Sequence, residues 1–522
     1  MVGQGWRLAR TYRDLSRHPV GLDEAMWHVT EQRAARTERL VVQLDQQVWP
    51  FPDSPTRRLL SWAGVERGDI VALLADGGLE GALESLRDQG VYVAYEEYLG
   101  TVPAIRGSAS FDFRPDDFRN RLFKADYMTS SGGTRSGGTT TGSNLTHLRS
   151  QCGPRLVQLA TWDIDGAPTA LWRPVFPGSA ITSVLQLAGA GNRPERWFSQ
   201  VDPRERAMAP HKRLANRGLG FAGVVGIPRP RHVPMSAPEP VLAWVEDALR
   251  REGRALLQGL TSSVTRLGAM AGERGVRLDG LVGSLSGEPL TPAKVAVLAS
   301  AGARVANSYA FSPLGRAGFS CPFGEPEEPH LWDSERAVVT RRRPRADGVE
   351  VDAFCWTTLV SDAPAVWLNV ENDDYGVLAR DDDCSCLMGR LGFSTRFRQI
   401  RSLSKVVAGG GTLPGEVLQR LAEEELPRRF GGSPTDYQFV EEEVDGSTVV
   451  SVRVDPRLGS MDEGAVLEAV SQTLVRSEEG MLAERLWSST LRLVRTTPVT
   501  TAGGKMLPFE SLVGARRPVP ER

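Results

Sequence analysis

Thr129-Ser130-Ser131-Gly132-Gly133-Thr134-Arg135-Ser136-Gly137-Gly138-Thr139-Thr140-Thr141-Gly142 is the stretch on which the reading of this chain turns. It holds five Gly, five Thr, three Ser and one Arg, and no apolar side chain that could help fill a core. Glycine lets backbone N–H groups converge on an anion, and the hydroxyls add short donors. The stretch therefore reads as a loop that wraps a polyphosphate, although a flexible linker has a similar composition. Gly132 to Thr139 also nearly spells the Walker A pattern, but Gly138 stands where its lysine belongs.

The rest of the chain narrows the choice. Its 522 residues are enough for two or more domains, and 41% apolar with 24% charged residues is ordinary globular composition. A net charge of −2 gives no reason to expect nucleic acid or an acidic membrane as partner. The N-terminus lacks a hydrophobic signal core, and no apolar run approaches the ~18 residues of a membrane span, so a soluble cytoplasmic protein is expected. Five cysteines in so long a chain argue against a disulfide framework. Only five of the 62 basic residues are lysine: Lys124, Lys212, Lys294, Lys405 and Lys505. Against that arginine background, a lysine inside a glycine-rich stretch invites a chemical explanation.

Residues 1 to about 105 read as largely helical. Thr169 to Trp172 and Ile181 to Leu187 read as a strand and a helix, and Pro228 to Pro240 as a connection. From Val241 the pattern is α/β: helices at Val241–Arg251 and Ser262–Gly275, then a strand at Leu278–Leu285. Thr291 is expected to cap the next helix, with Pro292 at its first position, and a strand follows at Ala303–Ala306. Alternation of this kind implies a mostly parallel sheet covered on both faces, with ligands at the strand ends. Phe354–Val360 and Ala365–Val370 read as two more strands, followed by the acidic run Glu371 to Asp383. After Arg401 a smaller unit is expected, with antiparallel strands at Asp436–Glu443 and Ser447–Asp455. A helix at Gly464–Arg476, a strand at Leu491–Arg495 and a polar glycine loop at Thr500–Lys505 complete it.

Five motifs, in order, resemble one family. The chain is similar to the adenylate-forming (ANL) superfamily, and within it to the phenylacetate–CoA ligase-like and acyl-protein synthetase branch, over roughly residues 105 to 515. Ser131, Gly133, Thr134 and Thr139 resemble the phosphate loop. Gly287-Glu288-Pro289 resembles the adenine-side motif, and Ser308-Tyr309 follows the next strand. Asp374 resembles the ribose-binding aspartate, Arg401 to Lys405 the interdomain hinge, and Thr501-Ala502-Gly503-Gly504-Lys505 the catalytic-lysine loop. Taken alone, Gly287-Glu288-Pro289 also fits a tight turn, Asp374 a solvated charge and Lys505 a surface lysine.

The resemblance implies a large N-terminal α/β domain (1–400) and a small mobile α+β C-terminal domain (401–522). It implies ATP with Mg²⁺, activation of a carboxylic acid as acyl-adenylate, and transfer to CoA, a carrier protein or an amine. Lys505 would bridge the acid and the α-phosphate. The chain departs from the family in two places: Pro313 stands where a metal-holding glutamate is usual, and the phosphate loop lacks its lysine. These departures keep open a nucleotide-binding relative without turnover, or one that adenylates a different acid such as nitrite. Finally, Cys321 and His330 form one pair and Cys384 with Cys386 another. Two such pairs suit a structural zinc, as some relatives in that branch have; four unrelated residues are the plainer alternative.

Overall fold

The computed structural model describes residues 2–130, 140–175, 180–202, 226–345, 348–403, 405–408, 411–444, 447–475, 487, 491–501 and 503–512. The phosphate-loop candidates Ser131, Gly133, Thr134 and Thr139 lie outside these residues.

The first hundred residues are helical as expected, with six helices from Val2–Arg17 to Tyr95–Leu99. Two short antiparallel hairpins follow: β1 (Ala104–Arg106) with β2 (Ala109–Phe111), and β3 (Tyr127–Ser130) with β4 (Thr140–Ser143). The second hairpin brackets the glycine-rich stretch.

A twelve-stranded sheet dominates the molecule. Its strands are β5 (Thr169–Trp172), β6 (Pro194–Ser199), β7 (Pro230–His232), β8 (Ala255–Leu260), β9 (Leu281–Ser286), β10 (Arg304–Phe311), β11 (Gly315–Phe319), β12 (His330–Leu331), β13 (Arg336–Pro344), β14 (Glu350–Thr358), β15 (Val370–Arg380) and β16 (Thr395–Ser402). They run in the order β7-β6-β5-β8-β9-β10-β11-β12-β16-β15-β14-β13. From β7 to β10 every pairing is parallel, and from β10 to β13 every pairing is antiparallel. The central strands β5, β8 and β9 are rich in apolar residues because helices cover both faces. Helices Cys152–Thr161 and Ala180–Gly189 pack on one face, over Leu171, Leu256 and Val282. Helices Glu239–Glu252, Thr261–Glu273 and Pro292–Ser300 pack on the other, over Ala170, Leu257 and Leu281.

A smaller unit follows β16. The hairpin β17 (Lys405–Ala408) and β18 (Gly411–Pro414) leads to a helix at Gly415–Arg420, a π-helical turn at Leu421–Glu425 and a further helix at Leu426–Phe430. Strands β19 (Tyr437–Val444), β20 (Ser447–Val454), β21 (Arg492–Arg495) and β22 (Phe509–Ser511) form its sheet. Leu418, Leu426, Phe439, Val452, Val470 and Trp487 give this unit a core of its own. A buried ion pair joins it to the large unit: Lys294 Nζ lies 2.8 Å from Glu423 Oε1.

Three expectations need correction. Ala365–Val370 is irregular, and the strand is Val370–Arg380, which includes the acidic run. Acidic residues persist in a central strand because they have partners: Glu371 is buried and holds Arg341 at 2.6 Å and Arg343 at 2.8 Å. Pro228–Pro240 contains the edge strand β7, a position where proline breaks no ladder. Thr291 stands at the N-cap, but its hydroxyl accepts no N–H of the first turn and instead donates to Glu423 at 2.7 Å. Tertiary packing took the side chain that local pattern had assigned to the helix.

Removing the Glu371 carboxylate leaves two mostly buried guanidiniums short of an anion, with only Arg343 retaining Glu96. Glu371→Ala is expected to lower unfolding free energy by about 3 kcal/mol in chemical denaturation. A loss below about 0.5 kcal/mol would show that solvent supports those charges.

Candidate functional site

The site gathers at the carboxyl ends of the parallel strands, where ligands sit in open α/β sheets. After β9 the chain turns through Gly287, whose φ of +89° favours glycine. Glu288 follows, and its carboxylate is held on three sides. Ser262 donates its backbone N–H at 2.6 Å and its hydroxyl at 2.9 Å. Met506 donates its backbone N–H at 2.8 Å, so a turn at the far end of the chain is tied to this one. Burial pushes the Glu288 carboxyl up, and Lys294 and Lys505 oppose that shift.

Lys505 sits in a tight turn. Thr501 N–H donates to the Lys505 carbonyl at 2.8 Å and Gly504 N–H to the Thr501 carbonyl at 2.8 Å. Gly504, at φ +74°, lies against Gln200 so closely that a Cβ would fall 2.8 Å from the Gln200 Cβ. Gln200 is itself pinned to the Trp172 carbonyl at 2.8 Å and to Ser263 Oγ at 2.9 Å. The lysine reaches toward Gly287: a Cβ built there would lie 3.7 Å from Lys505 Cε and 3.8 Å from Arg173 Nη2. Burial lowers the Lys505 pKa, with nearby Glu288 opposing. Arg173, the first residue past β5, donates to Ser286 Oγ at 2.8 Å.

One strand over, Ser308 and Tyr309 occupy β10. Ser308 accepts from Gln158 Nε2 at 3.0 Å. The Tyr309 hydroxyl donates to Asp374 Oδ2 at 2.6 Å, and Asn372 Nδ2 reaches the same carboxylate at 2.9 Å. Two residues singled out far apart in sequence are thus brought into contact. Burial pushes the Asp374 carboxyl up to about 7. Arg401 lies at the end of β16, opposite Tyr375 in register, and its guanidinium pairs with Glu416 of the small unit. Ser402 Oγ donates to Asp373 at 2.7 Å, so the connection between units starts beside Asp374.

No family model matches the sequence, and no curated protein matches it. Solved structures do match. 2-Hydroxyisobutyryl-CoA ligase in its postadenylation state in complex with 2-HIB-AMP superposes with a TM-score of 0.55 at 14% identity, covering 93% of this chain and 90% of that one. The same ligase in complex with R3-HIB-AMP gives a TM-score of 0.54, with the same identity and coverage. The fold is that of the adenylate-forming (ANL) ligases. A separate C-terminal unit belongs to that fold, and here it carries the Lys505 turn.

In this adenylate-forming fold a second cluster lies apart from the Lys505 turn. Cys321, His330, Cys384 and Cys386 place all four ligand atoms within 4.8 Å of one another. Cys321 Sγ is 3.7 Å from Cys384 Sγ, and His330 Nε2 is 3.6 Å from Cys384 Sγ and 3.5 Å from Cys386 Sγ. A tetrahedron with Zn–S of ~2.3 Å and Zn–N of ~2.0 Å has edges of about 3.5–3.8 Å, so the set fits that ion. His330 Nδ1 lies 2.6 Å from the Phe393 carbonyl, which fixes its proton there and frees Nε2 as a ligand. Arg396 Nη2 reaches Cys321 Sγ at 3.2 Å and Cys384 Sγ at 3.1 Å, offsetting thiolate charge. The hydrogen bond with Cys386, aided by His330 and Arg396 and opposed by burial, pulls the Cys321 thiol well below its ordinary value.

Sequence reasoning missed Arg173, Gln200 and Ser262. Arg173 had a faint signal, as the first charge after the apolar run Thr169–Trp172. Gln200 and Ser262 had none, since their roles come from what packs against them.

Proposed function

We propose that the chain uses ATP to activate a carboxylic acid as acyl-adenylate, releasing pyrophosphate, and passes the acyl group to CoA, a carrier protein or an amine. One observation carries this reading: Lys505 is delivered from the small unit to the Gly287-Glu288 turn at the sheet's carboxyl edge. Attack of a carboxylate on the α-phosphorus builds negative charge on oxygens of both partners. A desolvated ammonium on a fixed turn stabilises that charge with little reorganisation, and Arg173 adds a second cation beside it. The Asp374 carboxylate, once ionised, accepts hydrogen bonds from the ribose hydroxyls. The carboxylates of Glu288 and Asp374 already have partners, so Mg²⁺ is best carried on the phosphates of ATP itself, consistent with Pro313 in place of an acidic residue.

The division at Arg401 and a swinging small unit extend the same reading. The motion would break the Met506–Glu288 bond and the Lys294–Glu423 pair. The quartet Cys321, His330, Cys384 and Cys386 is read as a structural zinc site, with all four positions filled by protein. That quartet also supports the phenylacetate–CoA ligase-like branch. Among the described residues no helix is long and apolar enough to cross a membrane.

Three outcomes are expected. Lys505→Ala should cut ATP–pyrophosphate exchange by roughly 10²–10³ while sparing transfer from a preformed adenylate; near-normal exchange would remove Lys505 from catalysis. Adenosine binding should strengthen between pH 6 and pH 8 as Asp374, with its pKa of about 7, ionises, and Asp374→Asn should be weak and flat across that range. Because the folded pKa is raised, the proton on Asp374 stabilises the free protein at low pH, and that stabilisation fades as pH rises through about 7. Metal analysis should find about one zinc per chain, lost together with thermal stability in the Cys384→Ser, Cys386→Ser double variant. Native protein free of metal would end the zinc assignment.

A further inference from the structure

The sheet face beneath helices Cys152–Thr161 and Ala180–Gly189 changes character along its strands. Near the amino ends it presents Leu256 and Val282, which belong to the apolar core. Two residues further, Gln258 and Ser284 stand opposite each other in register and are both buried. Two further again come Ser286 on β9 and Ser308 on β10, level with the Lys505 turn.

The covering helices match this with polar side chains spaced three apart, which places each pair on one helix face. Arg155 and Gln158 come from the first helix, Ser183 and Gln186 from the second. Arg155 Nη2 donates to Gln258 Oε1 at 3.0 Å, Gln258 Nε2 to Ser183 Oγ at 3.1 Å, and Gln158 Nε2 to Ser308 Oγ at 3.0 Å. Arg316, on β11, donates to Gln186 Oε1. An interior assembled for an apolar acid would have no use for this network, since each buried amide and hydroxyl costs desolvation.

Charge makes the case sharper. Among the described residues no carboxylate hydrogen-bonds to Arg155, Arg173 or Arg316; their partners are glutamines and serines. Arg155 is 2% exposed, and its Nε has no partner at all. Burial pushes Arg173 and Arg316 down to about 10; repulsion from Arg173 adds to the shift of Arg316, and Glu288 near Arg173 and Glu335 near Arg316 oppose it without hydrogen-bonding to them. Arg155 is buried and Arg173 and Arg316 are partly buried, so a cluster of three cations with no hydrogen-bonded anion among the described residues is expensive and is tolerated where an anion arrives. The carboxylate being activated and the α-phosphate meet Lys505 and Arg173 at the strand ends. Arg155 and Arg316 lie behind them, on the helix side, and need a different negative group.

We propose that the acid handled by this site carries a second anionic group, a carboxylate or a phosphonate or phosphate, seated against Arg155 and Arg316 between the two helices and the ends of β8 and β10. The proposal rests on the acid-activation reading and names its substrate class. The test is calorimetric binding to the full chain in the presence of a non-hydrolysable ATP analogue. The probes are the three- to six-carbon dicarboxylates and 3-phosphonopropionate, each against the monocarboxylate of equal length. One dianion series should bind roughly tenfold to a hundredfold tighter than its monoanion partners, and the phosphonate arm tells phosphate from carboxylate. Arg316→Gln should remove that preference; Arg155→Gln should do the same if it folds. The wild-type comparison decides the matter even if neither variant folds. Dianions binding no tighter than monoanions would overturn the proposal, as would an Arg316→Gln variant that loses ATP affinity and keeps the dianion preference. Pyrophosphate exchange, run in parallel, separates the two readings: tight dianion binding without exchange sinks acid activation and leaves the anion site standing.

Discussion

The carboxylate of Glu288 is the constraint on which the site depends. It is partly buried, and its oxygens are met by donors from the middle and from the far end of the chain. Ser262 fixes the start of the helix after β8, and Met506 fixes the turn that carries Lys505. A single acidic side chain thus sets the distance between the Gly287-Glu288 turn and the Lys505 turn. Movement of the small unit must surrender the Met506 bond and leave an acceptor to find water or ligand. Burial makes that surrender costly until something else enters.

Buried charge recurs elsewhere in the molecule, in different balances. Lys294 and Glu423 are each 3% exposed and answer one another across the junction of the units. Glu371 answers two arginines within the large sheet. At the cysteine quartet Arg396 faces two sulfurs, which is sensible if those sulfurs are thiolates around a cation. In each case opposite charges close on themselves. The arginines behind Ser308 are different, because their hydrogen-bond partners among the described residues are neutral. That contrast, more than the number of arginines, marks the place as a receptor for an anion.

The large sheet also explains why the site sits where it does. Parallel pairing from β7 to β10 points every strand's carboxyl end the same way, so the turns after β8, β9 and β10 converge. Antiparallel pairing beyond β10 brings β15 back, setting Asp374 against Tyr309. Among the described residues, Gly287, Glu288, Ser308, Tyr309 and Asp374 therefore gather along one edge, although Asp374 reaches it from another part of the sheet.

Local pattern was sufficient for the alternation of strands and helices from Val241 onward, for the hairpin at Asp436–Asp455, and for the turns around Gly287 and Lys505. Those features rest on period, capping and glycine chemistry, which act within a few residues. Local pattern misjudged the acidic run after Val370, because a charged strand is stable only when its partners are known. It singled out Asp374 and Tyr309 without showing that they touch, and it joined the Cys321–His330 pair to the Cys384–Cys386 pair mainly through a family resemblance. It was silent on Arg155 and Arg316, which look like any of the chain's 57 arginines, that is, 62 basic residues less five lysines. The sequence by itself determined the elements and their order; only the tertiary structure decided which charges meet a partner and which wait for a ligand. The physical reason is that burial and pairing are properties of space, and residues adjacent in this site, such as Gln200 and Gly504, lie about 300 positions apart along the chain.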